Sequence, residues 1–138
     1  MRKLSRNKDH RELMLRNLAT SLVLYERIDT TEAKAKEVKT FLDKIIADAK
    51  PNNLTAIRKL HTVFLDRNAV KKTIEVLVPR YEGRESGFTR TYHLKNRLGD
   101  NAPMIRVELV DRKVMEAEEA KKAEVSETKE AKTTEKVK

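Results

Sequence analysis

The seven residues Met104–Val110, MIRVELV, limit the fold more than any other stretch of this 138-residue chain. Ile105, Val107 and Leu109 alternate with Arg106 and Glu108, the period of a strand with one buried and one wet face. Such a strand cannot stand alone. Its backbone amides and carbonyls need neighbouring strands, and its apolar side needs a cover.

Upstream patterns supply the cover. Met14, Leu18, Leu22 and Tyr25, with Leu15 alongside, recur at helical spacing and predict a helix from about Asp9 to Leu24. Asp9 and Glu12 have capping-box spacing at its start. A second helix follows Thr31, with Ala35, Val38, Leu42, Ile45 and Ala49 as its stripe and Pro51 just beyond its end. Leu54, Ile57, Leu60 and Phe64 predict a third. Val70, Ile74, Leu77 and Val78 predict a fourth, stopping near Pro79, although IEVLV also suits a strand. Glu26–Thr30 reads as a short strand, and Phe88–Arg97 as an extended segment pairing antiparallel with Met104–Val110. The expected fold class is α+β, helix-rich, in the order α-β-α-α-α-β-β, with a small mixed three-stranded sheet.

Charge divides the chain in two. Residues 113–138 hold seven lysines and seven glutamates, so the whole net charge of +9 belongs to residues 1–112. We expect 1–112 to form the globular domain and the Glu/Lys/Ala-rich 113–138 to be a disordered or transiently helical tail. A basic body attracts polyanions, nucleic acid or an anionic surface.

Chemistry beyond binding finds little support. The chain has no cysteine, so thiol catalysis and thiolate metal sites are excluded. His10, His61 and His93 share no ligand spacing. No phosphate-binding G-x-x-x-x-G-K-[ST] loop and no G-x-S-x-G elbow occurs. We therefore expect no enzymatic activity, cofactor, metal or small-molecule substrate. No apolar run is long enough for a bilayer and the start lacks an export signal, so the expected location is cytoplasmic.

Three basic regions are the candidate sites. The first is GFTRTYHLKNRLG, Gly87–Gly99, which contains Arg90, Lys95 and Arg97 and no carboxylate. Arginine grips phosphate with two parallel hydrogen bonds, Phe88 or Tyr92 can stack on an unpaired base, and glycine lets backbone approach closely. The alternative is a solvated hairpin whose rings pack the sheet. The second region is the start, where Arg2, Lys3, Arg6, Lys8, Arg11 and Arg16 face only Asp9 and Glu12. It reads as a flexible basic arm running into a basic helix face, or as a solubilising tail. The third is Lys34, Lys36 and Lys39, beside Glu32 and Glu37, which equally suits a solvated helix face. His10 and His93 lie within basic stretches. A helix-turn-helix across Asp66–Arg67, acid–base catalysis through Glu82, Glu85 or His93, and an adaptor acting through the tail are the competing readings.

Taken in order, three motifs resemble the bacterial large-subunit ribosomal protein seventeen family: HRELMLRNLATSL (His10–Leu22), RIDTTEAKAKEVK (Arg27–Lys39) and GFTRTYHLKNRLGDNAPMIRVELVDR (Gly87–Arg112). The resemblance covers nearly all of residues 1–112. It implies a two-layer fold and a structural role: binding large-subunit ribosomal RNA on the outer side of the subunit, near the peptide exit, among neighbouring ribosomal proteins. It implies RNA contact by Arg2, Lys3, Arg6, Lys8, His10 and Arg11, and by Arg84, Gly87, Arg90 and Arg97. Departures from the family pattern are a shorter basic start, Ser86-Gly87 for a glycine pair, Phe88 for a tyrosine and His93 for a lysine.

Overall fold

The computed structural model describes residues 2–111, and the expected tail at 113–138 lies outside them. Helix α1 (Lys8–Tyr25) leads into strand β1 (Arg27–Thr31) and helix α2 (Glu32–Ala49). Helices α3 (Leu54–Val63) and α4 (Arg67–Lys72) follow; a π-helical turn, Thr73–Leu77, joins α4 to the single turn α5 (Val78–Arg80). Strands β2 (Thr89–His93) and β3 (Met104–Leu109) complete the fold. Because α4, the π turn and α5 form one continuous helical stretch, the expected element order holds.

The sheet departs from expectation in one respect. It is not mixed: β3 is central, in the order β1-β3-β2, and pairs antiparallel with both neighbours. No pairing direction is written in a lone five-residue strand such as β1, and direction is set only when the partner docks. Ile105, Val107 and Leu109 are buried as their alternation predicts.

The core lies between this sheet and the helices. Leu15, Ala19, Leu22 and Val23 of α1 and Val38, Leu42, Ile45 and Ile46 of α2 pack in one cluster with the inner residues of β3. Each large aliphatic side chain buried there contributes about 1.5–3 kcal/mol before entropy is charged against it. Asn53 caps α3 by accepting from the Ala56 amide at 2.8 Å, and Asp66 accepts from Asn68 at the start of α4.

Two local expectations are corrected. Asn7, not Asp9, is the N-cap of α1, and Asp9 lies within the first turn. Glu12 does not reach back to the cap, because Arg16 one turn on takes its carboxylate at 2.6 Å. Pro79 does not end the fourth helix. In a regular α-helix its ring would meet the Glu75 carbonyl. The π turn, in which the Val78 amide reaches back to Thr73, widens the backbone just before it.

The junction of α1 and β1 rests on a buried ion cluster. Glu26 adopts left-handed geometry (φ 58°, ψ 0°) and closes α1. Its side chain, 10% exposed, accepts two bonds from Arg80 at 2.9 and 3.2 Å. Lys72 Nζ also lies 2.9 Å from the Glu26 carboxylate and donates to the Leu24 carbonyl at 2.8 Å. Burial would push the Glu26 carboxyl up, but Arg80 and Lys72 outweigh it and hold the group below its ordinary value. This cluster fastens the last helical turns to the start of the sheet.

Candidate nucleic-acid interface

Beyond Thr89, β2 leaves the helical layer. Arg90, Thr91, Tyr92 and His93 are all exposed, so both faces of the strand meet solvent. Its ladder with β3 continues past the strand ends: the Leu94 amide bonds the Met104 carbonyl and the Arg97 amide bonds that of Ala102, each at 2.9 Å. The result is a projecting two-stranded ribbon. Its tip turns through Gly99 (φ 102°) and Asn101 (φ 51°) and leaves Leu98 98% exposed. A φ of 102° is a glycine conformation, so the turn depends on the residue at position 99.

The tip is braced from within. Arg97 donates twice to Asp100, at 3.0 and 2.6 Å, and Asn96 donates to Asn101 at 2.9 Å. The Arg97 guanidinium, helped by the Ala102 amide, holds the Asp100 carboxyl down at about 2. Arg97 therefore has an acidic partner, and that partner lies one residue past the carboxylate-free stretch. Arg90 and Lys95 form no ion pair among the described residues.

The N-terminal segment, expected as a basic arm, turns back on itself. Leu4 and Ser5 have positive φ, and the chain hooks back against α1. Arg11 donates to the Arg2 carbonyl at 3.1 Å, and Arg6 reaches the Met14 sulfur. Arg2, Lys3, Lys8 and His10 are exposed on this hook and the following turn, while Arg6 and Arg11 are half-buried.

Hook and ribbon meet at the start of α2. The Glu32 amide donates to the Pro103 carbonyl at 3.1 Å. Glu32 itself is held below the ordinary carboxylate range, first by the hydrogen bond from Lys36 and then by the Lys36 charge, with Arg2 and His93 nearby. Arg2 of the hook, His93 of the ribbon and Lys36 of α2 thus crowd one end of the molecule. Lys34 lies in the same first turns of α2, half-buried and without an ion pair among the described residues.

The remaining predicted residues divide by partner. Arg16 pairs with Glu12, and Lys36 with Glu32 at 2.5 Å. Arg84 lies 3.6 Å from Asp111 and donates to the carbonyl of Gly87. Gly87 has φ 71° with open space where a Cβ would stand, so its role is the turn into β2 rather than clearance. These ion pairs are at least partly exposed, so each holds its partner only weakly.

Phe88 cannot take the stacking role. It is fully buried, its centroid 5.1 Å from that of Tyr81, with Lys50 Nζ 5.4 Å over its ring. Strand alternation alone would place Phe88 on the outer face with Arg90 and Tyr92. The Tyr81 segment covers this end of the sheet, and the Tyr81 hydroxyl donates to the Val110 carbonyl at 2.6 Å. The Phe88 amide donates to half-buried Asp43, whose carboxyl burial pushes up. The accessible ring of the stretch is Tyr92, 48% exposed, and its period-2 relation to Arg90 was the signal available in the sequence.

The three histidines lie apart, on α1, α3 and β2. Among the described residues, no cluster of three or more His, Cys, Asp or Glu could hold a metal, and no helix is long and apolar enough to cross a membrane.

Comparison with known proteins gives a consistent result. The family model described as Ribosomal protein L17 matches residues 14–110. A relative from Caldanaerobacter subterraneus subsp. tengcongensis, described as large ribosomal subunit protein bL17, is 47% identical over 109 residues, covering 79% of this chain and 97% of its own. Relatives with the same description from Syntrophotalea carbinolica and Rickettsia bellii are 46% and 42% identical, covering 80% and 82% of this chain and 71% and 80% of their own.

Proposed function

Because the chain belongs to the ribosomal protein L17 family, and is thereby a structural, non-catalytic constituent of the bacterial large ribosomal subunit in the cytoplasm, we propose that it grips large-subunit ribosomal RNA at the end where hook and ribbon meet. The observation that carries this reading is the docking of the ribbon on the start of α2, where the Glu32 amide donates to the Pro103 carbonyl and Lys36 stands one turn on. Basic side chains of the hook, the ribbon and α2 make a single surface for a phosphate backbone. Arg90 and Lys95 extend that surface along the ribbon; Lys3, Lys8, His10 and Arg11 extend it along the hook. Phosphate contacts supply affinity, and the fixed shape of hook and ribbon supplies placement.

Within the subunit the protein sits on the outer side near the peptide exit, beside other ribosomal proteins. The resemblance of its three motifs to the family supports this placement. A tagged copy sedimented through a sucrose gradient tests the reading. Wild type is expected with the large subunit, and Arg90→Ala/Arg97→Ala is expected to be depleted from it while remaining folded. Wild type left at the top of the gradient at low and moderate salt refutes ribosomal RNA binding. Equal co-migration of the double variant moves the main contact to the hook.

A further inference from the structure

The outer face of the sheet holds a second feature, which rests on the RNA reading above and gives it a new contact. Tyr92 of β2 lies opposite Arg106 of β3, and Arg106 lies opposite Asp29 of β1. Asp29 takes the Arg106 guanidinium with two bonds, at 2.7 and 2.9 Å. That grip holds a flat cation across the sheet beside an exposed phenol ring. One pair along, Glu108 stands between Arg27 and Arg90, and neither arginine forms an ion pair among the described residues. The described aromatic and cation–ring contacts involve Phe88 and Tyr81 and leave Tyr92 uncovered.

We propose that this face receives an unpaired nucleotide of the ribosomal RNA, its base stacked on Tyr92 and its phosphate held by Arg90. Charge selects the occupant. Three arginines against two carboxylates leave the face cationic. Its apolar content, one ring and the half-buried Leu94 and Met104, is too small for the dry centre of a protein interface. Bases stack on an exposed ring whatever their identity, and a neighbouring guanidinium adds to the attraction. The contact is therefore tolerant of sequence and selective for single-stranded over paired RNA.

The test is titration of the full chain against protein-free bacterial large-subunit ribosomal RNA over a salt series, with Tyr92→Ala, Tyr92→Phe and Arg90→Ala. Tyr92→Ala is expected to weaken binding about tenfold with an unchanged salt slope, and Tyr92→Phe to bind like wild type. Arg90→Ala is expected to reduce the salt slope by about 0.7–0.9. Ultraviolet irradiation of the wild-type complex is expected to leave a nucleotide adduct on the Thr91–Lys95 peptide. Tyr92 lies at the surface, so circular dichroism should show the same fold in all variants. If Tyr92→Ala binds as tightly as wild type, or adducts form on the hook alone while Arg90→Ala still weakens binding, the stacking site is refuted and the RNA reading survives. If wild type itself shows no salt-dependent binding, both fall together. Crosslinking of Tyr92 to a neighbouring protein in whole subunits also overturns the proposal.

Discussion

Glu26 is the residue whose loss should cost the fold most for its size. Three groups share the cluster, but unequally. Glu26→Gln leaves two cations facing a neutral amide at a site where the Arg80 side chain is 11% exposed. Arg80→Ala leaves the carboxylate with Lys72. Lys72→Ala leaves the better pair intact, and the Lys72 side chain is already 25% exposed. Breaking a buried pair from one side costs about 3–5 kcal/mol. We therefore expect about 3–4 kcal/mol for Glu26→Gln, 2–3 for Arg80→Ala and 1 for Lys72→Ala, scaled by the partners and exposure left behind. For a domain of this size the first corresponds to a fall in Tm of roughly 12–16 °C. Glu26→Gly should recover about 1 kcal/mol of its loss, because glycine accepts the left-handed backbone that glutamate adopts at a cost. Acid adds a second reading. The folded carboxyl lies below its ordinary value of 4.5, so its contribution is complete above that value and is lost as pH falls through the folded pKa. Urea unfolding followed by circular dichroism from pH 7 to 3 should show the gap between wild type and Glu26→Gln narrowing in acid. A gap that is constant with pH, or Arg80→Ala costing more than Glu26→Gln, would refute the reasoning.

Other expectations follow from single contacts. Phe88→Ala empties a fully buried site beneath Lys50 and against Tyr81, and should cost about 3–5 kcal/mol in chemical denaturation. Tyr81→Phe removes one buried bond to the Val110 carbonyl and should cost about 1–2 kcal/mol, read the same way. If hook and ribbon together neutralise roughly six to ten phosphates, affinity for ribosomal RNA should fall on the order of a thousandfold or more between 50 and 200 mM salt in filter binding.

Much of the fold was legible in the sequence, since helical spacing and the alternation of Ile105, Val107 and Leu109 are local records of which side is buried. Partnership across the chain leaves no such record. Glu26 reads as one more residue of a short strand, and nothing near it announces Arg80, 54 positions away. The direction in which β1 pairs was hidden for the same reason, as was the cover that Tyr81 lays over Phe88. At the site, the basic residues were visible as composition. Which of them were already engaged was not, because Arg97 finds its acid just past the stretch that lacks one. The hook was invisible because left-handed geometry at Leu4 and Ser5 has no glycine to mark it.

The central place of β3 in the sheet also sets a schedule. Asp29 and Arg106, joined across β1 and β3, lie 77 residues apart in the chain. At a synthesis rate of roughly 5–20 residues per second, β1 waits about 4–15 s before its partner has been made. The same late strand completes the ribbon. A nascent chain therefore has neither a finished sheet nor a finished grip until almost the whole body has emerged, and both arrive in one step. Truncated products that end before β3 lack the two together, so an incomplete copy should fail to compete for the place of a complete one.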